Sequence, residues 1–312
     1  MKTNIHSAFA VSVSVWLGAL GVCGSLAHAE GINPPQLYQN VGTLANELEQ
    51  IRQVMGKRLP RKRSFSLADV EPRQVYFQAQ TLFRKCNSLA QEVAGISRRA
   101  PPPAPEQAIS PDDVYALIDQ ARNELAYVKR ALAIDQDAMV PKIERRRQPA
   151  DVMHDIIEAG YVLNQLTDQH VDWPQIYDRV FQATTYVGGV LAEDERYPDL
   201  PPFQCCKMPQ DVFDTLAAAM EAARPSAEQV SLKLIRIIPG EAAEGGASPS
   251  TVFDLTTTFV SDLAELTLRM SGEDIDGPSY DRPPRIFPSH VVQLAKVLEQ
   301  QIVRLQESTL TQ

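Results

Sequence analysis

Histidine, cysteine and every familiar catalytic motif are scarce in this chain. Its 312 residues hold five histidines and four cysteines. No H-E-x-x-H, G-x-S-x-G, glycine-rich phosphate loop or C-x-x-C occurs. The sequence therefore gives no ground for a zinc protease, a nucleophile-elbow hydrolase, a nucleotide enzyme or a dithiol oxidoreductase. Long apolar runs are missing as well: past the first residues, no stretch is long and apolar enough to span a bilayer.

The N-terminus reads as an export signal. Lys2 supplies the positive start, Ala8 to Gly24 the apolar region, and Ala27-His28-Ala29 an A-x-A cleavage site before Glu30. The expected location is the periplasm, reached across the inner membrane. An outer-membrane lipoprotein is the lesser alternative: Leu20-Gly21-Val22-Cys23 resembles a lipobox, but Val22 is large for the position before the cysteine. Cleavage leaves Cys86, Cys205 and Cys206, too sparse for a disulfide scaffold. One bridge is open to them in an oxidising compartment, joining Cys86 to either of the others or the adjacent pair to each other.

What the chain does contain is a phrase written eight times: an anchor, two residues, an aliphatic and usually an aromatic. Copies start at Pro34, Pro72, Pro111, Pro149, Trp173, Pro209, Pro249 and Pro288. Copies five to eight follow copies one to four by 139, 137, 138 and 139 residues. Each copy has the chemistry of a helix start. Ser110 can cap, Pro111 has no N–H to leave unpaired, and Asp112 and Asp113 suit the first turn. Apolar residues then recur at steps of three and four, as at Val114, Leu117, Ile118, Ala121, Leu125 and Val128. The expected fold is all-α: eight long helices in a tandem duplication of a four-helix unit, arranged as a helical bundle or helical repeat. Residues 1–29 would be the signal peptide, 30–170 the first unit and 171–312 the second.

The connectors are rich in proline, glycine and charge, and most exceed the usual helix–helix loop. Such segments either pack along the bundle in extended form or move freely. Only the step from the fourth helix to the fifth is short, which places a tight seam between the units near Thr167 to Asp172. Charge is uneven across that seam. Residues 30–148 hold 18 Lys and Arg against 14 Asp and Glu, a net of +4; residues 149–312 hold 11 against 25, a net of −14. The acidic half could dock a basic partner. The basic stretches Lys57 to Arg63 and Arg145-Arg146-Arg147 could make peripheral contact with a membrane. Export and overall acidity argue against nucleic acid.

Candidate sites are few. His154 and Glu158 share a helix face, with Asp151 and Asp155 nearby, and read as a solvated polar face before a metal site; no metal or cofactor is expected. Cys205-Cys206 precedes the sixth helix beside Lys207, a setting that lowers a thiol pKa. The aromatics Tyr38, Tyr76, Tyr115, Tyr177, Phe213 and Phe253 stand at one repeat position, and Trp173 at the seam. Together they either line a ligand groove or fill bundle cores.

Two functions fit. One is a non-catalytic carrier of an apolar ligand held where the units meet. The other is a protein–protein scaffold or adaptor in the cell envelope. As a signal peptide followed by helical repeats over the whole mature chain, the protein resembles exported all-helical components of bacterial envelope lipid transport, among them the helical component of sterol-trafficking machinery. No diagnostic motif carries that resemblance, so it transfers no residue roles. It implies a sterol- or hopanoid-like ligand passed between envelope transport proteins.

Overall fold

The computed structural model describes residues 34–58, 65–103, 105, 108–144, 146–167, 171–239, 247–270 and 280–310. The signal segment, most of the basic stretch Lys57 to Arg63, Arg145 and part of the seam at 168–170 lie outside them. Residues 32–312 form one compact unit. Its described residues hold eight α-helices: α1 (Pro34–Val54), α2 (Pro72–Ala94), α3 (Pro111–Ala131), α4 (Pro149–Leu166), α5 (Trp173–Val190), α6 (Pro209–Gln229), α7 (Pro249–Arg269) and α8 (Pro288–Leu310). The all-α expectation holds, and every helix begins on its repeat anchor.

The local reasons are visible at the caps. Ser110 Oγ accepts from the Asp113 N–H, and the Asp113 carboxylate accepts from the Ser110 N–H at 2.8 Å. Ser248 and Thr251 repeat the arrangement at α7. Both are reciprocal boxes that occupy otherwise unpaired donors of a first turn. At the far end of α2, Gly95 takes the left-handed conformation, φ +67°, that closes a helix without a Cβ penalty.

Side-chain partners fix the directions of the helices. Asn40 and Glu47 of α1 meet Tyr115 and Arg122 of α3 in the same order along both helices. Between α2 and α3, Asn87 meets Glu124, and Tyr76 lies near Asp113. Gly160 of α4 faces Lys85 at the middle of α2, and Arg147, just before α4, reaches Tyr38 near the start of α1. The first four helices thus run parallel. The packed pairs are α1·α3, α1·α4, α2·α3 and α2·α4, which sets the order around the bundle as α1, α3, α2, α4. In the second four, the pairs are α5·α7, α5·α8, α6·α7 and α6·α8. Each set closes on itself, so the arrangement is a bundle and not an open solenoid.

Parallel helices explain the long connectors. A helix of about 20 residues advances about 30 Å, and the chain must return that distance before the next can start. Described residues of three return segments, those after α2, α3 and α5, lie against the helices. Residues 137–141 run backwards along α1, where Gln50, Asn46 and Gln39 donate to the carbonyls of Asp137, Met139 and Pro141 at 3.2, 2.6 and 2.8 Å. Gln80 and Tyr76 of α2 do the same for Pro102 and Pro103, and Arg304 and Gln293 of α8 for Glu195 and Pro201. These side chains satisfy carbonyls that an isolated extended segment would otherwise leave to water. Between Leu166 and Trp173 there is too little chain for a return, so α5 sets off the opposite way and the second set is antiparallel to the first.

Two short strands absent from the sequence reading join the sets. β1 (Phe65–Ala68) pairs antiparallel with β2 (Arg236–Pro239), with Ser66 opposite Ile238 and Leu67 opposite Ile237. One hydrophobic core runs through both sets, from Leu44 and Leu48 of α1 to Leu298 and Ile302 of α8. None of the described helices is long and apolar enough to cross a membrane.

Candidate binding cleft and polar seam

The sets meet along α2 and α7, and the contact is polar. On α7, Asp254, Thr256, Thr257, Thr258, Ser261 and Asp262 are all buried. Thr256 and Thr258 return their hydroxyls to the carbonyls of Val252 and Asp254, and Ser261 donates to Thr258, the usual way a helical hydroxyl is satisfied in a core. Asp262 is fully buried and accepts from Arg73 at 2.9 Å, Gln74 at 2.7 Å and the Ile235 N–H at 3.0 Å. Burial pushes its carboxyl above the usual range against the opposing pull of Arg73, Gln74 and Ile235. Asp254 accepts from Gln78 at 3.0 Å and lies 3.7 Å from Lys85 Nζ. A Cβ on Gly160 would stand 3.2 Å from that ammonium, so the glycine leaves it room. The seam is charge-matched and directional, which suits it to fixing how the sets join.

Nearby, Arg179 of α5 lies over the Phe253 ring, 5.7 Å from its centroid, and donates to Gln182 at 3.2 Å. Burial holds it and Arg84 below the ordinary guanidinium range, each further lowered by a neighbouring arginine.

A cleft of about 660 Å³ opens where α5 and α8 start. Pro174, Pro283, Pro284, Ile286 and Phe287 give it apolar walls, and Arg282 and Arg285 give it cations. The segment before α8 holds its shape by three contacts. Ile286 is buried, Arg282 pairs with Asp178 at 3.1 Å, and the Phe287 N–H donates to His290 Nδ1 at 3.1 Å. Trp173, next to Pro174, is half-buried against the core. A second, smaller cleft of about 280 Å³ is lined by charged groups, among them Asp69, Arg224, Lys233 and Arg236.

The residues of the aromatic repeat position differ in burial. Tyr76 and Tyr177 are buried in the core, while Tyr38, Tyr115, Trp173, Phe213 and Phe253 pack on its margin. Among the described residues no ring contact joins any two of the seven. Tyr38 is covered by Arg147, whose guanidinium stands 4.1 Å from the ring centroid and donates to the hydroxyl. Tyr76 gives its hydroxyl to Pro103. None of the seven lines the large cleft; Trp173 is the chain neighbour of Pro174, which does.

The three cysteines sit in different surroundings. Cys86 is a free thiol wholly inside the core, where burial pushes it far up, while Cys205 and Cys206 are exposed and free. A bridge from Cys86 to either would require α2 to open. Nor does Lys207 lower the Cys206 thiol. Its ammonium stands 3.7 Å from Asp211, and the hydrogen bond to Cys205 raises Cys206. His154 pairs with Asp155 at 3.7 Å. Among the described residues, no three His, Cys, Asp or Glu side chains gather as a metal site requires.

Arg73, Lys85, Asp254 and Asp262 went unnoticed in the sequence. Their one signal is that α7 carries carboxylates inside an otherwise apolar and threonine-rich stretch, Val252 to Leu268. No protein-family model, curated protein or solved structure matches this chain.

Proposed function

We propose that the protein is a non-catalytic binding protein of the cell envelope that holds an apolar, lipid-type ligand, sterol- or hopanoid-like, in the cleft beside Trp173. The observation that carries this reading is the cleft itself. Its volume of about 660 Å³ lies within the range of about 300–1,000 Å³ common for small-molecule sites. Its walls are mostly proline, isoleucine and phenylalanine, and its two arginines suit a polar or anionic end of the ligand. The signal segment, whose removal would deliver the chain to the periplasm, agrees with this role. The proposed duplication is supported by the matching packed pairs of the two helix sets.

With residues 1–29 removed, Trp173 is the sole tryptophan. Titration with sterols, hopanoids and phospholipids should change its emission saturably, and Ile286→Asp should abolish the change. Flat titrations together with no lipid co-purifying by mass spectrometry would overturn the reading.

A scaffold role is the second reading, favoured by exposed Leu200, Phe203, Met208 and Phe287. A partner held on such apolar groups should survive high salt in a pull-down from envelope extract, whereas one held on the acidic second half should wash off.

A further inference from the structure

Cys205 and Cys206 are consecutive, exposed and turned towards each other, with Sγ atoms 3.2 Å apart. Adjacent side chains in extended chain point to opposite sides. Here Cys206 adopts a left-handed backbone conformation, φ +64°, which is uncommon for a residue other than glycine. Neighbouring contacts hold this geometry. The Lys207 N–H donates to Ser289 Oγ at 3.2 Å, and the Met208 N–H donates to the Asp211 carboxylate at 2.6 Å. The Phe203 ring lies 4.8 Å from that of His290. Both flanks of the pair are thus tied to the starts of α6 and α8.

We propose that Cys205 and Cys206 form a thiol–disulfide exchange site that reacts as a unit with small-molecule disulfides and closes to a vicinal disulfide. The hydrogen bond divides the roles. Cys206 donates its S–H to Cys205, so Cys205 is the acceptor and the attacking sulfur. Its thiolate bonds to one sulfur of a disulfide RSSR and expels RS⁻, leaving a mixed disulfide on Cys205. Cys206 then loses its proton, attacks Cys205 Sγ and expels the second RS⁻. In net terms the protein dithiol and RSSR give the protein disulfide and two RSH: two electrons pass to the small molecule, and both protons end on the released thiols. Cys86, buried and with its thiol pushed far up, stays out of the exchange.

The test uses the folded protein with excess glutathione disulfide, followed by acid quench, trypsin digestion and mass spectrometry. Residues 197–207 emerge as one peptide carrying both cysteines. The expected product is that peptide lighter by two hydrogens, with no glutathione retained. In Cys206→Ser the second step is blocked, so a glutathione adduct should accumulate on Cys205. A wild-type peptide that remains reduced, or that carries one or two stable adducts, would overturn the proposal. So would a Cys205→Ser variant that reacts at Cys206 as fast as wild type does at Cys205.

Discussion

Arg73 of α2 and Asp262 of α7 form an ion pair of 2.9 Å that bridges the two helix sets, with the carboxylate wholly shielded from water. Removing one member takes from the other its nearest opposite charge. Asp262→Ala is expected to destabilise the fold by about 3–5 kcal/mol, the usual result of orphaning a buried charge. The paired replacement Arg73→Met with Asp262→Leu should recover most of that loss. Urea denaturation of the two variants checks this, and an Asp262→Ala protein as stable as wild type would show the seam to be solvated.

Gly42 tests how tightly a return segment is held. A Cβ there would stand 2.7 Å from Pro141 Cγ, too close without a shift of the segment that Gln39 anchors. Alanine should gain about 1 kcal/mol in helix propensity but lose about 1–3 kcal/mol to overpacking. The expected outcome is a net loss in stability. A stabilised Gly42→Ala protein would mean that residues 137–141 move aside freely.

The repeated phrase should behave as a helix cap. Ser110→Ala removes the hydroxyl that accepts from Asp113 and should cost about 1 kcal/mol by chemical denaturation. Pro111→Ala should change stability much less, since that position needs no N–H. The reverse order would assign the phrase some role other than starting helices.

Two histidines should titrate on opposite sides of the ordinary value. The hydrogen bond to Asp155 leads the causes that raise His154, while burial lowers His290. With its folded value raised, His154 adds stability that is complete below the unfolded value of about 6.5 and fades as pH rises through the folded one. His290, depressed, behaves inversely: its contribution is present above the unfolded value and fades as pH falls through the folded one. An NMR titration of the imidazole protons reads both values directly, and His290 titrating above His154 would contradict this assignment.

The starts of all eight helices were legible because each is a local event: a cap, a proline and a first turn, all within a few residues. Directions were nearly legible. Six long connectors and one short one already imply six returns and one reversal, but helical spacing marks which face is apolar and never which neighbour covers it. The β1–β2 pairing joins Phe65 to Pro239 and has no local signature. Asp254 and Asp262 read as interruptions of an apolar face until α2 supplies Gln78, Lys85, Arg73 and Gln74. The surroundings of the aromatic position were hidden for the same reason. Equivalent places in the repeat have different neighbours, so Tyr76 and Tyr177 are buried while Tyr38 and Phe253 meet arginines at the margin.

The order of helices around each bundle bears on how the chain can fold during synthesis. The two packed partners of α1 are α3 and α4, and those of α5 are α7 and α8. A chain emerging N-terminus first has no partner for its leading helix until most of a set has followed, and the seam must wait for α7. Contacts this remote in sequence slow folding, and a ribosome would release the first helices of each half with their apolar faces still uncovered. Such a chain gains more than most from a holding chaperone before the last helix arrives.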